Sequence, residues 1–154
     1  MVGYIEEYDK NMKKIISQRK VPLTENKIKE YIKWQSPFNH MTVCMRKSKL
    51  IEIGNYNENI WLEDYELWAR YVINNVKMMN IDKVLVKVRT GKEMYKRRSG
   101  FNRINKIVEL EKKLLEYKII NKTNYYRNIV FRGIFALIPF FMKKNIYKKI
   151  IRKL

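Results

Sequence analysis

The sequence has 154 residues, about the size of one domain, and its 46% apolar and 13% aromatic content is sufficient for a packed core. Its net charge of +19 predicts affinity for phosphate-bearing partners: nucleic acid, anionic lipid headgroups or nucleotide-linked substrates. The single cysteine, Cys44, excludes an internal disulfide framework and is interpreted as a small buried hydrophobic residue in a reducing cytoplasm.

The first half of the chain alternates predicted strands and helices. In chain order they are strand 2–8, strand 14–21, a helix over 25–34 capped by Thr24, a loop over 36–40, strand 42–46, a helical turn over 49–53 capped by Ser48, a helix over about 63–75, and strands 77–81 and 83–89. Residues 90–100 form a basic loop, and a helical pattern follows from about 101. The sequence therefore predicts an α/β part, residues 1–100, and a helical extension, residues 101–154.

The helix predicted at WLEDYELWAR carries three acids with different helical phases. At 100° per residue, Asp64 lies within the apolar arc that contains Trp68, whereas Glu63 and Glu66 lie toward the polar side. Glu66 also precedes Arg70 by four residues, the spacing of a surface ion pair. An inward carboxylate is costly unless it is bonded or used, so Asp64 is a candidate general base. The alternative is a helix start, where acids cap free N–H groups.

Two loops hold further candidates. The basic loop carries Arg97 and Arg98 beside Tyr95, between glycines at positions 91 and 100, and arginine side chains suit a diphosphate. A solvated loop in so basic a chain explains the same residues. His40, which follows Asn39, is the other candidate, although a lone histidine is usually structural.

The C-terminal segment has no acid after Glu116. In its last ten residues an apolar stripe alternates with lysines and arginines. The stripe consists of Ile146, Tyr147, Ile150, Ile151 and Leu154. This pattern is typical of a basic amphipathic helix in the plane of an anionic membrane, and the alternative is a helix packed on its own domain. The charge also permits nonspecific nucleic-acid binding, but no recognised binding motif occurs.

Three stretches, taken together, resemble the C-terminal half of bacterial family-2 glycosyltransferases. In chain order they are SPFNHMTVCMRKSKLIEIGNY, WLEDYELWAR and VLVKVRTGKEMYKRRSG. The resemblance covers about residues 2–140 and implies inverting transfer of a sugar from a nucleotide-sugar to an acceptor hydroxyl, in capsule or lipopolysaccharide synthesis. The implied fold class is α/β, a partial GT-A (Rossmann-like) domain lacking its N-terminal nucleotide-binding half, with the α-helical C-terminal extension.

The resemblance also implies roles for individual residues. Asp64 takes the position of the base that deprotonates the acceptor, and Glu63 is its neighbour in the acceptor pocket. The basic loop is expected to cover the donor diphosphate. Its contacts would be Tyr95, Arg97 and Arg98. Further substrate contacts are expected at Asn39, His40 and Trp68.

This family holds a divalent metal, Mg or Mn, with an Asp-x-Asp motif, which does not occur in this chain. No metal ligand is therefore predicted here. Without the metal and the nucleotide cradle the leaving diphosphate is not neutralised, so residues 1–154 alone are expected to be inactive.

The expected partners are a nucleotide-sugar donor, a glycan or lipid-linked acceptor, a missing N-terminal half, and an anionic membrane surface reached through the C-terminal helices. No specific nucleic acid is expected. The first residues, MVGYIEEYDK, carry acids where a signal peptide has basic residues. The protein is therefore expected to be cytoplasmic and peripheral at the inner face of the cell membrane.

Overall fold

A mixed three-stranded sheet forms the centre of the first half of the chain. The computed structural model describes residues 2–91 and 100–138. In it, β1 (Val2–Tyr8) pairs antiparallel with β2 (Ile15–Arg19) and parallel with β3 (Asn80–Arg89), so β1 is the middle strand. The prediction of an α/β fold is confirmed in this coarse form.

Within the described residues, the chain also forms five α-helices. They are α1 (Glu25–Tyr31), α2 (Lys47–Glu52), α3 (Glu63–Ile73), α4 (Phe101–Glu116) and α5 (Lys122–Leu137). The predictions of helices near 25–34, near 63–75 and from 101 onward are confirmed, whereas Ser48 lies inside α2 and is not its cap. In the part of the chain that the structure describes, no helix combines the length and the apolar character needed to cross a bilayer.

One hydrophobic core joins α1, α3 and α4 to the sheet. Ile28 of α1, Leu67 of α3, and Leu110 and Leu114 of α4 are all fully buried in the same cluster. Leu110 and Leu114 are four residues apart, so they lie on one face of α4. Each such side chain contributes roughly 1.5–3 kcal/mol on burial. Residues on both sides of position 100 therefore share one core.

The strand predicted over residues 42–46 is wrong. Residues 40–42 form a 3-10 turn, and no strand follows it there. The reason is that side chains bond to the backbone of β1 at this point. Thr42 Oγ1 lies 3.2 Å from both Gly3 N and Gly3 O, and Asn39 Nδ2 donates to Gly3 O over 2.8 Å. Cys44, in the same segment, is exposed and is not the buried residue that we predicted.

The two strands predicted over 77–81 and 83–89 are one strand, β3. It begins at Asn80, whose side chain donates to Pro22 O over 2.5 Å and to Pro37 O over 3.2 Å. Its backbone N–H donates to Leu23 O over 3.0 Å. From this anchored start, β3 pairs with β1 as far as Arg89. The predicted break at residue 82 therefore does not occur.

Candidate functional site

Glu63 and Asp64 lie in the first turn of α3. The helix begins at Glu63, and Asp64 Oδ1 accepts a hydrogen bond of 2.7 Å from the backbone N–H of Tyr65. Glu63 is exposed and Asp64 is half-buried, in agreement with their predicted phases. One oxygen of Asp64 thus bonds a free N–H at the helix start, as the capping interpretation requires. The carboxylate remains accessible, as a base must be.

One of a group of aromatic rings, Tyr56, lies near these two acids. The His40 ring lies 5.9 Å from the Tyr56 ring and 6.0 Å from the Trp68 ring. Burial raises the pKa of the Tyr56 hydroxyl, and the nearby charges of Asp64 and Glu63 raise it further. Tyr56 is therefore close both to the two acids and to the His40 ring, which in turn lies near Trp68. Tyr56 was not predicted from the sequence, because it stands in an irregular segment with no periodic pattern.

Asn39 and Trp68 lie behind His40 rather than at the surface. Asn39 is 1% exposed, and its Nδ2 donates to Arg19 O over 3.3 Å as well as to β1. Trp68 is 2% exposed, and its indole N–H has no hydrogen-bond partner among residues 2–91 and 100–138. Trp68 thus packs against the His40 ring, and Asn39 anchors the backbone just before His40. Direct contact of either residue with a substrate stays a prediction.

Glu66 is fully buried, so the prediction of a solvated surface pair is wrong. The pair itself exists: Arg70 Nε lies 3.0 Å from each carboxylate oxygen of Glu66. The hydroxyl of Tyr117, which follows α4, donates to Glu66 Oε1 over 2.6 Å. Because Tyr117 covers Glu66, this part of the face that we assigned to solvent is closed.

Arg70 links this buried pair to the candidate site. Its guanidinium donates to the carbonyl of Ile53, and its Nη2 donates to the carbonyl of Asn55 over 2.5 Å. Gly54 between them has φ +87°, a conformation that favours glycine. Tyr56 is the next residue after this turn. The Glu66–Arg70 pair therefore fixes the turn that carries Tyr56 toward His40 and the acids.

The side chains that the structure describes do not fit a divalent metal. Among residues 2–91 and 100–138, no group of three or more His, Cys, Asp or Glu side chains is arranged to hold a metal ion. The predicted diphosphate contacts Tyr95, Arg97 and Arg98 lie outside the described residues.

A pocket of about 630 Å³ borders Trp68 and Tyr71. Its lining includes Phe38 and Met78, with several lysine and arginine side chains but no carboxylate. Asp64 does not line this pocket, so the candidate site is the open surface beside the start of α3.

Comparison with known proteins gives three similar bacterial proteins. The chain is 33% identical over 146 residues to the amylovoran biosynthesis glycosyltransferase AmsE of Erwinia amylovora, covering 93% of this chain and 53% of that protein. It is 34% identical over 153 residues to the UDP-Gal:alpha-D-GlcNAc-diphosphoundecaprenol beta-1,3-galactosyltransferase of Escherichia coli, covering 98% and 54%. An uncharacterized glycosyltransferase of Haemophilus influenzae is 32% identical over 151 residues, covering 98% and 56%.

Over almost its whole length, this chain is similar to glycosyltransferases. It spans about half the length of the curated relatives that it matches. No family model matches the chain. No solved structure matches it either.

In this glycosyltransferase-like chain, the residue after Asp64 anchors α3 to its neighbours. The Tyr65 hydroxyl donates to Ile32 O over 2.6 Å and accepts from Arg132 Nη2 over 3.1 Å. Arg132 Nη1 also pairs with Glu111 Oε1 at 2.9 Å. Burial raises the pKa of Glu111, and the Arg132 charge partly offsets this effect. The network ties the start of α3 to α1, α4 and α5.

We expect the free energy of unfolding to fall as pH rises from about 10 to about 12. Burial raises the pKa of Tyr65 from 10.0 to about 12. Between these values the unfolded chain releases the phenolic proton while the folded chain keeps it, so unfolding becomes more favourable. The contribution of Tyr65 to the free energy of unfolding is complete below pH 10. It amounts to about 3 kcal/mol for a pKa shift of about two units. Urea unfolding at a series of pH values would measure it.

The Tyr65→Phe variant is the control for this pH effect. It should be less stable at pH 8, because the bond to Ile32 O is lost, but its stability should fall less steeply above pH 10. A decline parallel to that of the wild-type chain would contradict the assignment to Tyr65.

Proposed function

We propose that this chain is the acceptor-binding part of an inverting family-2 glycosyltransferase with a GT-A fold. The observation that carries the proposal is the similarity to glycosyltransferases over almost the whole chain. The small mixed sheet with helices packed on it is compatible with part of such a domain. The accessible Asp64, with Tyr56 near its charge and the His40 ring against Tyr56, supports the assignment of an acceptor site at the start of α3.

In the proposed reaction, Asp64 accepts the proton of an acceptor hydroxyl as the hydroxyl oxygen attacks the anomeric carbon of the donor sugar. The new carbon–oxygen bond forms while the bond to the nucleoside diphosphate breaks, and the diphosphate leaves with the bonding electrons. Attack from the side opposite the leaving group inverts the anomeric centre. The exposed His40 and the half-buried Tyr56 supply ring surface and polar atoms that suit a sugar. Glu63 is proposed to bind the acceptor beside Asp64.

The donor side of the reaction is proposed to need further residues. Tyr95, Arg97 and Arg98 are proposed to bind the donor diphosphate. Asn39 and Trp68 are proposed to support substrate binding through His40. A divalent metal, Mg or Mn, is proposed for the complete protein, with ligands beyond residues 1–154. Such a metal would neutralise charge on the leaving diphosphate when bound.

The acceptor is proposed to be a glycan on a lipid carrier. The name of the Escherichia coli relative gives a GlcNAc-diphosphoundecaprenol acceptor, and that of the Erwinia amylovora relative gives a role in amylovoran biosynthesis. By analogy, we propose a role in cell-surface polysaccharide synthesis, of a capsule or a lipopolysaccharide. Because such an acceptor is held in a bilayer, we propose that the protein works at the cytoplasmic face of the cell membrane.

Residues 1–154 alone are expected not to transfer sugar, because the proposed metal and nucleotide sites lie elsewhere. The assay would use the purified chain, radiolabelled nucleotide-sugars and polyprenyl-diphosphate-linked acceptors, with Mg or Mn added. The Escherichia coli relative with its own substrates is the positive control. Turnover by the isolated chain would contradict this part of the proposal.

A chimera tests the transfer function itself. The N-terminal part of the Escherichia coli relative would be joined to residues 1–154 in place of the segment that they match. We expect this chimera to transfer galactose from UDP-Gal to one of the lipid-linked acceptors. A folded chimera that binds UDP-Gal but transfers galactose to none of them would contradict the proposed function.

A further inference from the structure

An apolar stripe lies exposed along α5. It is defined here as Tyr126, Val130, Ile134 and Leu137, which are 66%, 60%, 60% and 52% exposed. Spacings of four, four and three residues keep these side chains on one face of the helix. Phe131, at the edge of this face, is 61% exposed. Four large apolar side chains in a row on one surface mark a contact surface rather than scattered exposure.

The opposite face of α5 is fixed to the rest of the molecule. Asn128 and Ala136 are 3% exposed, and Arg132 lies between them at a spacing of four residues. Asn128 Nδ2 donates to Lys33 O and to Glu111 Oε2, over 2.9 Å each. With Arg132 also paired to Glu111, two side chains one turn apart hold this side of α5. The helix therefore cannot rotate to bury the stripe without breaking a buried polar network.

The charge around the stripe is positive. Lys122 and Arg127 of the same helix are exposed, and no acid follows Glu116 in the sequence. The Arg127 guanidinium lies 3.3 Å from the centre of the Trp34 ring, which is itself 44% exposed. The surface thus combines apolar side chains, aromatic rings with polar edges, and cations. This combination is complementary to a bilayer with anionic headgroups, where Trp, Tyr and Arg occupy the interface.

We propose that the α5 stripe docks into the headgroup region of an anionic bilayer, with α5 lying in the membrane plane. This contact would be additional to the predicted contact of the stripe beginning at Ile146, which lies outside the described residues. The inference rests on the proposed function, because a lipid-linked acceptor gives the docking its purpose. Since α3 and α5 are joined through Tyr65 and Arg132, docking of α5 holds the site at Asp64 near the bilayer surface.

Co-sedimentation with vesicles tests this inference without any sugar transfer. The full chain would be mixed with phosphatidylglycerol–phosphatidylethanolamine vesicles and, separately, with pure phosphatidylcholine vesicles. The stripe variant changes Val130, Ile134 and Leu137 to Gln. The matched control changes Ile15, Ile51 and Met79 to Gln, since these side chains are 52%, 61% and 52% exposed outside α5. Circular dichroism would verify that both variants fold.

We expect the stripe variant to lose about tenfold or more in partitioning to anionic vesicles, and the control to stay within about twofold. Undiminished binding of the stripe variant, or an equal loss in the control, would overturn the inference. Sedimentation equilibrium tests whether a second copy of the chain occupies the stripe instead. If the wild-type chain is a dimer, and the stripe variant is a monomer with unchanged vesicle binding, the stripe binds a second copy and the inference fails. Galactose transfer by the chimera is measured independently, so it can succeed where this inference fails.

Discussion

Replacing Asp64 with Asn is expected to reduce sugar transfer by about 10²- to 10⁴-fold, the usual contribution of a general base. Asn has nearly the same shape, and its amide oxygen can still accept the hydrogen bond from the N–H of Tyr65. It cannot take up the acceptor proton. Because residues 1–154 span about half of the curated relatives, the change would be made at the aligned position of the Escherichia coli relative. Galactose transfer and UDP-Gal binding would be measured together.

The matched control is Glu63→Gln, which removes one negative charge from the same helical turn. Glu63 is proposed to bind the acceptor but not to take its proton, so this variant should reduce transfer much less than the change at Asp64. UDP-Gal binding should persist in both variants. If the variant with Asn at the Asp64 position still transfers galactose, Asp64 is not the base. The same conclusion follows if this variant loses UDP-Gal binding together with transfer.

The Glu66→Ala variant is expected to lower the free energy of unfolding by about 3–5 kcal/mol, the cost of breaking a buried ion pair. Glu66 is fully buried and accepts hydrogen bonds from both Arg70 and Tyr117. Removing its carboxylate leaves the Arg70 charge and the Tyr117 hydroxyl without this partner. Urea unfolding of the 154-residue chain, followed by circular dichroism, would measure the loss.

The control for Glu66 is Glu63→Ala in the same helix. Because Glu63 is exposed, its replacement should change the free energy of unfolding by no more than about 0.5 kcal/mol. A Glu66→Ala variant as stable as this control would show that the buried network does not support the fold. The same network should matter for activity, because Arg70 holds the turn before Tyr56.

Local patterns predicted most of the elements correctly. Helical periodicity located α1, α3 and α4, and alternation with turn residues located β1 and β2. Phase also separated the exposed Glu63 from the half-buried Asp64. The residues that were misjudged have partners far along the chain. Thr42 bonds to Gly3, and Glu66 bonds to Tyr117, 51 residues away.

The sequence by itself determined the positions of β1, β2, α1, α3 and α4 and the position of Asp64 at a helix start, because these depend on periodicities within a few residues. Only the tertiary structure decided that Glu66 is buried, that Tyr56 joins His40 beside the acids, and that the α5 stripe remains exposed. Each of these depends on which surfaces meet when distant segments pack. A helical wheel identifies the apolar face of a helix. Whether that face is covered depends on other segments of the fold, which the wheel does not describe.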